Sequence, residues 1–392
     1  MQLILFDGQE SENLLPLTFT RPVGELRWGM LTIAEKWERD MGLIPSYLTA
    51  PHLQEKYPCI TGSINLYVNG ALCPNLQLIE AIEKLEDGQA LVAGNTLLAF
   101  LSSGIWTGND WESEATSVAF EGDFHLAEQL WHLIDGNGKE MEIDFERLTK
   151  GRKSQAISKT NTLLGNRIFL EEGAKVEACI LNSQTGPIYL AADSEIMEGC
   201  VIRGPFALGE HAQVKMAAKI YGPVSAGPEC RLGGEISSSI LLSHSNKGHD
   251  GFLGHSYLGQ WCNLGADTNN SNLKNNYDQV KLWSYTANRF VSTGQQFLGL
   301  IMGDHSKSGI NTMFNTGTVV GVSANVFGAG FPRNFIPSFS WGGAGGITEY
   351  KLDRAFETAE RVMARRKIEL DSVERDILTH IYEATQDHRK AF

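Results

Sequence analysis

The chain is short of positive charge: 33 Lys and Arg stand against 46 Asp and Glu, a formal net charge of −13. That balance excludes the basic footprint of a nucleic-acid binder. An anionic ligand must therefore meet local cations, because the global field repels it. No apolar run reaches the length of a membrane span. The opening MQLILFDG is too short in apolar residues for a secretory leader, and Asp7 follows it. The six cysteines (Cys59, Cys73, Cys179, Cys200, Cys230, Cys262) are scattered, with no C-x-x-C. A reduced, cytosolic protein is the simplest account.

Glycine is abundant, with 41 residues, and a six-residue beat accompanies it. From Ile188 to Glu235 eight hexads run without a gap. Their third places are Leu190, Ile196, Ile202, Leu208, Val214, Ile220, Ala226 and Leu232. A period of six is neither the 3.6 of a helix nor the 2 of a lone strand. It is the period of a hexapeptide β-helix, in which three short strands make one triangular coil. The third-place side chains stack inside, and small residues turn the corners, several at positive φ. A second register follows at Met302, Ser308, Phe314, Val320 and Val326. The Asn-rich insert TNNSNLKNNYDQ between the two reads as a loop leaving the coil.

Before the coil, residues 1 to 155 read as a separate α/β domain. Strands are expected at Gln2–Phe6, Ile64–Val68, Ala90–Val92 and Thr96–Leu101, and helices at Met30–Trp37, Leu76–Leu85 and Phe124–Ile134. Ligand loops are expected after strand ends. After the coil, residues 350–385 are helical by pattern and read as a cap or a helix along the coil.

The stretch KGHDGFLGHSYLGQWCNLGADT, from Lys247 to Thr268, carries the most specific pattern. It resembles the acyltransferase half of the bifunctional N-acetylglucosamine-1-phosphate uridylyltransferase / glucosamine-1-phosphate acetyltransferase family. Gly248, His249, Phe252, Leu253, Gly254, Leu258, Gly259, Asn263, Leu264, Gly265, Ala266 and Thr268 fall on the family's motif. The resemblance implies acetyl-CoA-dependent N-acyl transfer to an amino-sugar phosphate. His249 would be the general base, since an imidazole titrates near neutral pH. Asn263 and Phe252 would contact the sugar. Ala266, Asn276 and Tyr277 would line the acetyl-CoA side. Lys247, Arg203 and Lys219, with Lys281, are the local cations for a phosphate. The family's lysine about twelve places before the histidine is replaced here by Ser237.

LLPLTFTRP, from Leu14 to Pro22, resembles part of the sugar nucleotidyltransferase signature. Ser11, Glu12 and Asn13 stand where that family has Gly-Thr-Arg, and Val23 where it has Lys. Thr18, Arg21 and Arg27 are the nucleotide-binding candidates. Asp7 and Asn69 are candidates for Mg²⁺, with Asp110 a further carboxylate; an amide ligates Mg²⁺ more weakly than a carboxylate does. The resemblance implies an α/β Rossmann-like nucleotidyltransferase-type domain (1–155), a left-handed parallel β-helix (164–346) and a C-terminal helical cap (347–392). It also implies a sugar phosphate and a nucleoside triphosphate as ligands, no nucleic-acid or membrane partner, and a homotrimer. An acyltransferase with a silent N-terminal domain, and a non-enzymatic binding or assembly protein, remain open at this point.

Overall fold

The computed structural model describes residues 1–390. They form two compact units: Met1–Leu14, Thr20–Leu26 and Leu31–His132, and Leu15–Phe19, Arg27–Met30 and Leu133–Phe392. The first unit holds a six-stranded mixed sheet in the order Ser46–Leu48, Gln2–Phe6, Asn65–Asn69, Thr96–Ser102, Gln89–Ala93, Thr116–Ala119. Its first three strands are parallel. Leu3, Ile4, Leu5 and Phe6 are all buried; a continuous apolar run suits a strand covered on both faces.

Two expectations for this region shift by identifiable local chemistry. The helix expected from Met30 is Ile33–Met41. Thr32 caps it, accepting from Glu35 N while the Glu35 carboxylate accepts from Thr32 N, and Gly42 ends it in the left-handed region. The helix expected over Phe124–Ile134 is instead a short strand, His125–Leu126, and then a helix from Leu130 to Thr149. His125 and Leu126 pair antiparallel with Cys73 and Leu72, which removes them from any helix.

The second unit is a three-sided parallel β-helix. Wall I begins with Ile168–Leu170, wall II with Lys175–Val176 and wall III with Thr162–Leu164. Walls I and II carry nine and ten strands, and wall III six. Each third-place residue of the hexad run faces inward, none more than 2% exposed. In the second register none exceeds 5%. Its one polar member, Ser308, is satisfied by the Thr268 hydroxyl at 2.8 Å.

The corners are less small than expected. Between walls I and II the positive-φ place is held by Asp193, His211, Glu229, His244, Trp261 and His305, with φ between 54° and 61°. Their side chains form a column of their own, with the rings of His244 and Trp261 4.2 Å apart. The Asn-rich insert also leaves the coil later than its sequence implies. The Asn269 and Asn270 side chains accept from Phe252 N and Gly254 N, both at 2.8 Å, and so hold the third wall in place. The chain departs at Ser271, forms the hairpin Lys281–Ser284 / Arg289–Ser292, and rejoins at Leu300. The C-terminal pattern is not one helix but three: Leu352–Ala364, Ser372–Ala384 and Gln386–Lys390. The first break falls at Lys367, which has φ +59°, and Asp371 recaps the chain by accepting from Glu374 N.

The regular beat ends for a countable reason. Between walls II and III most coils place four residues, as from Val214 to Lys219; after Leu232 there are two, Gly233 and Gly234. Gly234 has φ +72°, and a Cβ there would lie 2.7 Å from the His249 carbonyl oxygen. The short corner thus tucks directly beneath the turn that carries His249. The next inward place, paired with Leu232, is Lys247. It is fully buried, and its ammonium donates to the carbonyls of Gly233, His249 and Asp250 at 3.3, 2.5 and 3.2 Å. Burial pushes this amine down to about 8.

Two stability predictions follow from the coil. Ile202→Ala, at an inward place, is expected to cost about 3 kcal/mol. Lys219→Ala, which removes an exposed ion pair to Glu235 on the outer face, should stay within about 0.5 kcal/mol. Urea titration followed by circular dichroism separates the two, and equal losses would contradict the inward assignment. Lys247→Met keeps the volume but strands three carbonyls and should destabilise by about 2–4 kcal/mol. The folded amine titrates below its ordinary value near 10.5. Below pH 8 its buried charge opposes folding, and that opposition is relieved as pH rises from about 8 to 10.5. Wild type should therefore gain stability relative to Lys247→Met across that window; a gap independent of pH would contradict the burial.

Candidate active site

His249 sits at the corner between walls II and III, in the turn Gly248–Gly251 stacked over the short Gly233–Gly234 corner. Its side chain is exposed, and the carbonyl behind it is held by Lys247. On wall II the outward places run Arg231, Asn246, Asn263 and Lys307 in parallel register. The Asn246 amide donates to Asn263 Oδ1 at 3.4 Å. This ladder floors a cavity of about 620 Å³. His244 and Trp261 line it at one corner and Gly248 and His249 at the other, while Thr358, Val362, Arg365 and Arg366 reach in from the C-terminal helical segment.

The cavity concentrates cations in an acidic chain. Lys215, Arg231, Lys307, Arg365 and Arg366 line it. Glu229 is the carboxylate beside them, 3.2 Å from Arg231 and 3.5 Å from Arg366. Burial, and then the neighbouring Arg366 charge, push the Arg231 guanidinium below its ordinary range. Burial and Arg231 do the same to Lys215. Burial takes Lys307 down to about 8. Burial also lowers His244, against the opposing effect of Glu229. Each cation would be relieved by an anion in the groove. Of these groups the sequence singled out only His249 and Asn263. Lys215, Arg231 and Lys307 lie outside any motif, and Arg365 and Arg366 come from just past the distant helix Leu352–Ala364, so only the fold unites them.

Other expected site residues go elsewhere. Lys247 is corrected outright: its ammonium points into the coil interior, where no substrate reaches it. Phe252, Lys219 and Arg203 are on wall III, with Phe252 and Lys219 in the outward column through Glu235 and Arg203 in register with Tyr221. Lys219 is paired with Glu235 at 3.5 Å. Ala266 is one coil above His249 in the same corner, its carbonyl accepting from Asn311 N. Asn276 and Tyr277 are on the excursion; Asn276 bonds Asp278, and Tyr277 is 66% exposed.

In the first unit a polar cluster gathers at the C-terminal ends of two parallel strands. Phe6 and Asn69 are register partners, and Asp7 follows Phe6. Asp7 accepts from Val23 N at 2.8 Å and from the Thr49 hydroxyl. Burial pushes its carboxyl up to about 6, and the Glu10 charge adds to the shift. The Glu10 carboxylate folds back over Gly8, where a Cβ would meet Oε2 at 2.2 Å. Glu10 Oε2 is buried without a hydrogen-bond partner among the described residues. That orphaned oxygen beside Asp7 fits a divalent cation. Asn69 fits less well, since its Oδ1 already accepts from Ala71 N at 2.9 Å.

The nucleotide-binding candidates from the sequence are corrected. Residues Glu10–Asn13 form a single helical turn carrying Glu10 and Glu12, where a glycine-rich phosphate loop would be needed. Arg21 is 2% exposed and next to Thr20 and Glu25, so it is enclosed and does not face a ligand. Arg27 and Thr18 belong to the second unit and are buried. Arg27 donates to the Leu242 carbonyl at 3.4 Å and its own carbonyl accepts from Tyr257, so it anchors a loop to wall I. Asp110 is at a left-handed turn before the short helix Trp111–Glu114.

Residues 3–153 match the family model described as sugar nucleotidyl transferase. Among curated proteins, the chain is 25% identical to the bifunctional protein GlmU of Picosynechococcus sp. over 169 residues, 42% of this chain and 31% of that protein. It is 23% identical over 215 residues to a bifunctional sugar-1-phosphate nucleotidylyltransferase/acetyltransferase of Sulfurisphaera tokodaii, 54% of this chain and 52% of that one. It is 34% identical over 87 residues to GlmU of Methanocaldococcus jannaschii, 22% of this chain and 21% of that protein. The matches thus span about half of each relative or less. A match over 215 residues, 54% of this chain, is too long to lie outside the coil. The N-terminal stretch therefore carries the sugar nucleotidyl transferase pattern, and the chain is similar in part to bifunctional nucleotidylyltransferase/acetyltransferases.

Proposed function

We propose that this chain is a transferase acting on sugar phosphates, with N-acyl transfer at the coil and nucleotidyl transfer in the N-terminal unit. The observation that carries the acyl-transfer half is the meeting of His249 and Asn263 in one cationic cavity on wall II. The acceptor is an amino-sugar phosphate, whose anion suits Arg231, Arg366 and Lys307. Acetyl-CoA is the acyl donor. The sugar amine attacks the thioester carbon, forming C–N as C–S breaks. His249 takes the amine proton as the bond forms and returns it to the departing thiolate. Asn246 and Asn263 orient the sugar by hydrogen bonds.

In the N-terminal unit, a phosphate oxygen of the sugar attacks the α-phosphorus of a nucleoside triphosphate and pyrophosphate leaves. Asp7 and Glu10 are the residues that would hold Mg²⁺, which supplies charge neutralisation for the phosphates. The family match over 3–153 supports this half. A homotrimer completes the reading. Leu164, Ile180 and Val201 expose 40%, 40% and 45% of their surfaces on the first coils of wall III, an apolar patch that suits a second copy.

Two assays on a panel of amino-sugar 1-phosphates test the proposal. In the first, acetyl-CoA-dependent thiol release should fall at least about 100-fold in His249→Ala. Release within twofold of wild type would remove His249 from the chemistry. In the second, pyrophosphate release from UTP or dTTP with Mg²⁺ should be lost in Asp7→Asn. No release from the wild type across the panel would leave an acyltransferase alone.

A further inference from the structure

The excursion that interrupts the coil builds a second cavity, which the acyl-transfer reading does not use. It encloses about 740 Å³, between the hairpin Lys281–Ser284 / Arg289–Ser292, the last coils near Phe335, and the terminal helix Gln386–Lys390. Its apolar surface is aromatic. Trp283 lies parallel to Phe335, with ring centroids 4.2 Å apart and planes at 8°. Phe290 meets Trp283 edge-on at 5.4 Å and leaves 39% of its own surface exposed. His388 closes the cluster edge-on to Phe335 at 5.7 Å.

Around these rings the charge is positive. Lys274, Lys281 and Arg333 line the cavity against one carboxylate, Asp387. That carboxylate is engaged by Lys390 at 3.0 Å. Lys281 is exposed and makes no ion pair among the described residues. A hairpin that merely sealed the end of a solenoid would close its aromatic surface against the coil. This one leaves an open volume large enough for a mid-sized organic ligand, and places cations at its rim in a chain of net charge −13.

We infer that this cavity is a binding site for a nucleobase carrying phosphate, with the base against Phe290 and Trp283 and the phosphates on Lys274 and Lys281. Aromatic faces accept any planar base, and the cations supply selectivity for the phosphorylated form. The shared chemistry occurs in free nucleotides, in nucleotide sugars and in the adenosine diphosphate part of coenzyme A. The lining of the cavity carries the site by itself, while coenzyme A or a nucleotide sugar as its occupant rests on the proposed transfer reactions.

Isothermal titration of the full chain with ADP tests it. A site for ADP that Asp7→Asn leaves intact is expected, with adenosine and inorganic pyrophosphate each at least tenfold weaker there. Phe290→Ala and Lys281→Glu should each weaken ADP at least tenfold while the thermal midpoint stays unchanged. Both side chains are partly or largely exposed, so neither change should unfold the chain. Coenzyme A and a uridine diphosphate sugar, titrated the same way, identify the source: whichever binds more tightly and is weakened by the same substitutions is the natural ligand class. Absence of ADP binding at millimolar concentration, or binding that both variants leave intact, would overturn the assignment.

Discussion

Everything in the second unit depends on one three-sided stacked column. From Leu190 to Leu232 each coil sets aliphatic or Ala side chains, one from each wall, directly above those of the last, sealed from water. Each coil buries little alone; the column is stable because neighbours share it. The strand spacing of about 4.8 Å then fixes the outward residues as well. A ladder such as Arg231, Asn246, Asn263 and Lys307 is therefore a ruled surface, on which polar groups are held in line without a dedicated scaffold.

The candidate site gathers where that column is disturbed. The two-residue corner at Gly233–Gly234 shortens one coil, and Lys247 then replaces an aliphatic residue in the interior to satisfy the carbonyls this exposes. The turn bearing His249 rests on that substitution. The same economy applies to charge. The chain repels anions as a whole, yet along one wall and at one hairpin it assembles cations, and on that wall buried amines and a guanidinium are held below their ordinary ranges. The N-terminal unit works in the opposite sense: Asp7 and Glu10 crowd together, and a cation would relieve them.

The coil was legible because its period is enforced at every turn by burial. Ile196 or Val214 could not be polar without a partner, and so the beat appears in the sequence. The His249 turn was legible through its motif. What was not legible lacks periodicity. Nothing in the sequence brings Arg366 beside Glu229, because tertiary docking of a helix sets that pair. Lys247 reads as a cation for a phosphate until the two-residue corner beneath it is counted. Arg21 and Arg27 read as phosphate ligands from their place in the nucleotidyltransferase-like loop, whereas here burial encloses Arg21 and backbone carbonyls claim Arg27. His125 and Leu126 satisfied a helical pattern but were taken by a strand partner more than fifty residues earlier.

The central claim is that the groove on wall II binds the acyl acceptor. A crystal structure of the protein with an amino-sugar phosphate tests it most directly. The phosphate should lie against Arg231 and Arg366, with the sugar along Asn246 and Asn263 and the amine within hydrogen-bond reach of the His249 imidazole. A sugar phosphate bound on wall III, or only at the Asp7 cluster, with the wall II groove empty, would contradict it.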